Sequence, residues 1–166
     1  MGPQQCEGSI DVRARTEEIA MARLEVLETT VQKTHEWLRD IKEEFGFDND
    51  HAAYAALRAT LHGLRDQLVT DQVARFGAQL PLLVRGLYYE GWDPHTPGER
   101  RNFLASIRHD LRDHPELRDP ERVARIVFGV IGMRVSAGEV QKIGNGLPRE
   151  LRALWPKPAS ASPAEA

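Results

Sequence analysis

A chain of 166 residues with 41 % apolar and 28 % charged side chains has the make-up of one globular domain with a real core, which excludes wholesale disorder. No apolar run approaches the roughly 20 residues that span a bilayer, and the start MGPQQCEGS lacks both the basic and the apolar part of a secretory signal. With a net charge of −3 and one cysteine, Cys6, which excludes an internal disulfide and a thiolate zinc site, the expected setting is the cytoplasm.

Residues 1–15 read as a flexible tail. Leu24, Leu27, Val31, Thr34, Leu38, Ile41 and Phe45 are then spaced alternately three and four apart, the stripe of a helix that packs along one face. Either one helix runs from about Thr16 to Glu44, or two meet near Thr29 and Thr30. The upstream part of the stripe, Met21, Leu24, Leu27 and Val31 with Ile19, either packs on the domain or is offered to another chain, a second copy or a different protein.

Asp50 reads as the N-cap of a helix that buries Tyr54, Leu57, Leu61, Leu64 and Leu68. Thr70 caps a short helix that cannot run into Pro81, and Leu82 to Tyr89 form another. The loop GWDPHTPG follows, and Thr96, Pro97 and Glu99 have the pattern of a capping box opening the next helix, with Phe103, Leu104, Ile107 and Leu111 on its face. Asp119 and Pro120 open a helix that is apolar almost all round and should be the buried centre of the fold. Gly129 and Gly132 within it suggest close approach of another helix. Ser136 and Glu139 form a second capping box, GNGLP at 144–148 ends that helix, and residues 157–166 read as disordered.

Residues 57–88 recur 67 positions later: Leu57, Leu61, Leu64, Val73, Leu80, Pro81 and Val84 answer to Ala124, Phe128, Ile131, Val140, Leu147, Pro148 and Leu151, and Tyr88 to Trp155. Apolar spacing and a Leu-Pro break recur while polar positions scatter. No stretch has the alternation of a strand. The expectation is an all-α, compact helical globule of about seven to nine helices, built from two related halves. An extension helix over 16–30 precedes repeat one, 31–94, and repeat two, 96–156.

The segments THEWLRDIKEEFG at 34–46, QLPLLVRGLYYEGWDP at 79–94 and SAGEVQKIGNGLPRELRALWP at 136–156 resemble a widespread bacterial helical family known as domain of unknown function 2267. The resemblance covers roughly three quarters of the chain. It implies an all-helical domain and brings no activity, cofactor or catalytic residue.

Tyr89, Glu90, Trp92 and Asp93, next to Tyr88, are the nearest approach to a functional motif. Aromatic rings around a glycine at a helix end can anchor a partner. Equally, Tyr88 is core, Trp92 folds back over the short helix, and Asp93 caps the loop. Among the histidines, His109 and His114 are five apart and do not share a helix face, so no metal site or cofactor is expected. Gly-rich phosphate loops and nucleophile elbows are absent. Residues 98–166 carry 12 basic and 9 acidic side chains, too balanced for a nucleic-acid footprint. The leading expectation is a non-enzymatic cytosolic interaction module, a stress-related or regulatory adaptor, whose contacts are a protein partner or self-association and not a membrane. The alternatives are a ligand-binding or enzymatic pocket around Tyr89 and Trp92, and a binder of an acidic surface such as RNA through the basic second half.

Overall fold

The computed structural model describes residues 8–95 and 102–157; the side chains of residues 8–13 and 18–23 fall outside the description. Among the described residues the chain forms eight α-helices and one 3-10 turn and no strand, the all-α architecture expected from the spacing. α1 spans Gly8–Phe45, α2 Asp50–Arg65, α3 Thr70–Gln79 and α4 Leu82–Tyr89. In the second half come α5 Phe103–Asp110, the 3-10 turn Pro115–Leu117, α6 Pro120–Arg134, α7 Ala137–Gly146 and α8 Arg149–Arg152.

α1 is one helix because neither glycine nor proline occurs between residues 9 and 45. The same continuity carries it upstream of residue 16, so residues 8–15 are helix and not tail. Residues 1–7 of the expected tail lie outside the described residues. Gly46 ends the helix with φ 79°, a conformation glycine adopts without strain. Its N–H donates to the Lys42 carbonyl at 2.9 Å, that of Phe47 to the same carbonyl at 3.2 Å, and Phe47 stacks on Phe45 at 5.0 Å. The face that α1 buries is Thr30, Trp37 and Ile41, with Thr34 half-buried.

Several helix starts differ from expectation by a residue. Asn49, not Asp50, caps α2, its Oδ1 accepting from the Ala52 N–H at 3.1 Å; Asp50, the next residue, is bound by Lys42 at 2.8 Å. Val69, not Thr70, precedes α3, and neither α3 nor α7 has a side-chain cap, so the Ser136–Glu139 box does not form. Glu139 is buried. The Thr96–Glu99 box lies outside the described residues; Asn102 caps α5 through the Ala105 N–H at 3.0 Å. Asp119 caps α6 as expected, accepting from Glu121 and Arg122.

The central helix is α2, which touches α1, α4, α5, α6 and the 3-10 turn, whereas α6 packs on α1, α2 and α5. Apolar bulk misleads here. Ala52, Ala53, Ala56, Ala59 and Gly63 are small enough to admit neighbours closely, while Met133 on the bulkier α6 is 64 % exposed. Tyr54, expected inside, is exposed, because the alanines and not the tyrosine face the core. Gly132 does receive a neighbour, since a Cβ there would come within 2.9 Å of Pro156; Gly129 opens onto free space.

Several positions 67 apart are buried alike. α3 and α7 are both 10 residues long, each is followed by a Leu-Pro corner, and Leu57, Leu61, Leu64, Val73 and Leu80 are buried like their counterparts. α2 packs on α6 and α3 on α7, and Asn49 donates to Glu116, 67 positions on, at 2.9 Å. Two arginines escape the scattering, Arg58 with Arg125 and Arg85 with Arg152, and the second pair keeps its contacts. Arg85 donates to the Ala78 and Leu80 carbonyls at 3.2 and 3.1 Å, and Arg152 to those of Asn145 and Leu147 at 3.5 and 3.0 Å. Each guanidinium satisfies the carbonyls left open where a short helix turns its Leu-Pro corner. Between halves, Arg134 on α6 donates to Asp40 at 2.7 Å and Glu36 at 3.2 Å on α1, so part of the charge imbalance is mutual attraction.

Candidate interaction surface

The two groups of candidate residues sit at opposite ends of α4. At its start, the Leu83 N–H donates to Thr30 Oγ1 of α1 at 3.2 Å. At its end lie Tyr89, Glu90, Trp92 and Asp93.

On α1, residues 24–29 are exposed without exception. Successive helical residues turn by about 100°, so six exposed in a row leave no face of this stretch packed. Leu24, Val26, Leu27 and Val31 are 57, 60, 54 and 44 % exposed. The side chain of Met21 lies outside the described residues. Leu24, Leu27 and Val31 line up with Leu38 on a face rotated roughly 100° from the buried one. That line borders an open groove of about 740 Å³, lined by Leu27, Val31 and Leu38 together with the polar Gln32 and His35 and the charged Glu28, Glu36, Arg39 and Lys42.

At the other end of α4 the aromatic residues pack on the protein itself. Tyr88 is buried edge-on to Phe76 at 5.4 Å. Tyr89 lies against Gly77 and its hydroxyl donates to the Val73 carbonyl at 3.4 Å, while Trp92 tilts onto Tyr89 at 5.5 Å. In the second half, Trp155 lies against Gly144 and its Nε1–H donates to the Val140 carbonyl at 2.8 Å. Val73 and Val140, like Gly77 and Gly144, are 67 apart. Trp155 therefore shares the sequence register of Tyr88 and does the work of Tyr89. Asp93 Oδ1 accepts from the His95 N–H at 2.9 Å and so caps the loop.

Glu90 is exposed and bound by Arg58 at 2.7 Å, which holds its carboxyl below the usual range. This pair belongs to a cluster that the sequence did not single out. Arg65 donates to the Tyr88 and Glu90 carbonyls, both at 2.9 Å, and His62 Nε2 lies 2.8 Å from the Leu87 carbonyl. α2 thus serves the open carbonyl end of α4 with the cation of Arg65, which suits that end of a helix, and with the imidazole of His62. The equivalents of His62 and Arg65 on α6 are Gly129 and Gly132, so comparing halves hides these two, whereas Arg58 answers to Arg125. The only signal available was a helix end at Tyr89 with no lysine, arginine or histidine in its last turn.

Burial pushes His62 down from its ordinary 6.5, against the Leu87 bond, and Arg65 and Arg58 add to the push. The unfolded chain then binds this proton first as pH falls, so His62's contribution is complete above about pH 6.5 and is lost below it. Melting temperatures will drop between pH 7.5 and 5.5, and His62→Gln will flatten that drop. Parallel curves for the two proteins would refute the assignment.

Arg122, Arg125, Arg134 and Arg152 of the second half all engage groups within the fold. Among the described residues no three His, Cys, Asp or Glu side chains gather as a metal site would require, and no helix is long and apolar enough to cross a membrane. No curated protein matches the chain. Residues 34–154 match the DUF2267 family, described as uncharacterized conserved protein. The match begins inside α1, four residues after Thr30, the first buried position among the described side chains. The chain is a member of the domain of unknown function 2267 family, with the exposed upstream part of α1 lying outside the matched domain.

Proposed function

We propose that the protein is a non-enzymatic interaction module of the bacterial cytoplasm, acting by binding another protein chain through α1. One observation carries this reading: Leu24, Leu27 and Val31 form an exposed apolar line on a helix stretch that none of the described residues covers. A helix has no structural reason to keep such a line in water. The internal comparison agrees, because α5 begins at Phe103, 66 positions after Trp37, so the second half builds the same core without an upstream extension. The aromatic cluster supports the alternative pocket less well, since Tyr89 and Trp92 cover one another and Gly77. A regulatory adaptor is the role such a module fits.

The magnitudes set the strength of binding. Covering a large aliphatic side chain is worth roughly 1.5–3 kcal/mol, about half of which remains to be gained at each of these positions. Association costs roughly 4–15 kcal/mol in lost freedom, so contacts of this size are reversible.

A photoreactive amino acid at Leu27 will capture a protein chain in the cell of origin, and one at exposed Arg118 will not. Adducts at both positions, or at neither, would end the reading. Shortening the chain to start at residue 29 will shift Tm by only about 2 °C, the scale of exposed-surface changes, because residues 24–28 are all exposed.

A further inference from the structure

Resting on that reading, we propose that the chain bound by α1 is a second copy of this protein, laid antiparallel along the groove between Leu27 and Lys42. The groove is self-complementary when turned end over end. Its apolar lining is Leu27 and Val31 at one end and Leu38 at the other, with the polar Gln32 and His35 between them. Its upstream end carries the exposed acid Glu28. Its downstream end carries Arg39, loosely held at 3.9 Å from Glu43 and 61 % exposed, and Lys42, which Asp48 and Asp50 grip at 2.8 Å.

A second α1 running the opposite way about an axis between Val31 and Thr34 sets Leu27 of each copy beside Leu38 of the other. The same register sets Glu28 beside Arg39, twice. Parallel pairing instead brings like charges together at each end. From residue 27 to 42 the groove runs about 22 Å at 1.5 Å per residue, enough to seat four turns of helix. Such an interface uses one patch on both copies and therefore closes as a dimer. Each copy has one such groove helix, because α5, only 8 residues long, has no upstream extension. A patch of this size lies at the low end of specific interfaces, so dissociation is expected in the range of about 1–100 μM.

Sedimentation of the full chain from 5 to 500 μM, in low salt, will show a monomer–dimer equilibrium. Glu28→Arg and Arg39→Glu will each weaken it about three- to tenfold, as expected for loss and inversion of two exposed pairs, and the double swap will restore it. In a Cys6→Ser background, Leu27→Cys mixed with Leu38→Cys will form a disulfide-linked pair on oxidation, while neither variant alone will. A monomer throughout the range overturns self-docking, and Leu27→Cys linking to itself overturns the antiparallel arrangement. Failure of the double swap to recover association, with circular dichroism unchanged, overturns the register. Capture of a different protein by the photoreactive group at Leu27, with no dimer in solution, ends this inference and leaves the interaction reading standing.

Discussion

Phe128→Ala lowers the unfolding free energy by about 3–5 kcal/mol, the cost of removing a fully buried aromatic ring from a core that cannot collapse onto the space. For a domain of this size that is a fall in Tm of roughly 6–20 °C. Phe128 is 0 % exposed, stacks on Phe103 of α5 at 5.6 Å, and meets Trp155 edge-on at 4.8 Å. One ring thus joins α6 to α5 and to the segment after α8. Its counterpart Leu61 is equally buried but is smaller and has no ring to stack, so Leu61→Ala is expected to cost less, about 2–5 kcal/mol. Urea titration measures both, and a loss below about 1 kcal/mol at Phe128 would mean that this junction is not closely packed.

Gly144→Ala costs about 1–3 kcal/mol despite alanine's better helix propensity of about 1 kcal/mol. The added Cβ falls 2.8 Å from Trp155 Cδ1 and 3.1 Å from its Nε1. Trp155 cannot step aside, being 7 % exposed, tied to the Val140 carbonyl and wedged against Phe128. Gly77→Ala meets the end of Tyr89 at the equivalent place, but Tyr89 is half-buried, its bond to Val73 is 3.4 Å, and it can swing outward. The second substitution should be nearly neutral. Equal losses at the two glycines, measured by denaturant unfolding, would show that Tyr89 is as fixed as Trp155.

Apolar spacing made the helices legible because burial repeats with the helix turn. It gave α3, α4, α6 and α7 nearly to the residue, and the 67-residue recurrence marked the positions that the two halves bury alike. Helix starts were less legible, since Asn49 and Asp50 offer chemically similar caps one residue apart and α3 starts after Val69 with no side-chain cap at all. Nor does spacing report closeness: α2 is central through alanines that carry little hydropathy. Of the candidate surface, the line Leu24, Leu27 and Val31 was visible as a pattern, but a coiled-coil stripe and a core-facing stripe read the same. Only the coordinates show the buried face turning through Thr30, Trp37 and Ile41 instead. The carbonyl-binding roles of His62, Arg65, Arg85 and Arg152 depend on where chain ends fall in space, which no periodicity encodes.

The unbroken run of α1 from Gly8 to Phe45 has a mechanical meaning. A rod without a joint acts as a cantilever: its free arm of 22 residues before Thr30 reaches about 33 Å and its root is clamped at Trp37 and Ile41. Whatever grips the arm fixes the angle of the whole body, and a torque applied at the tip arrives undamped at the clamp. Inserting a glycine pair near Thr29 would add a hinge, separating gripping from steering.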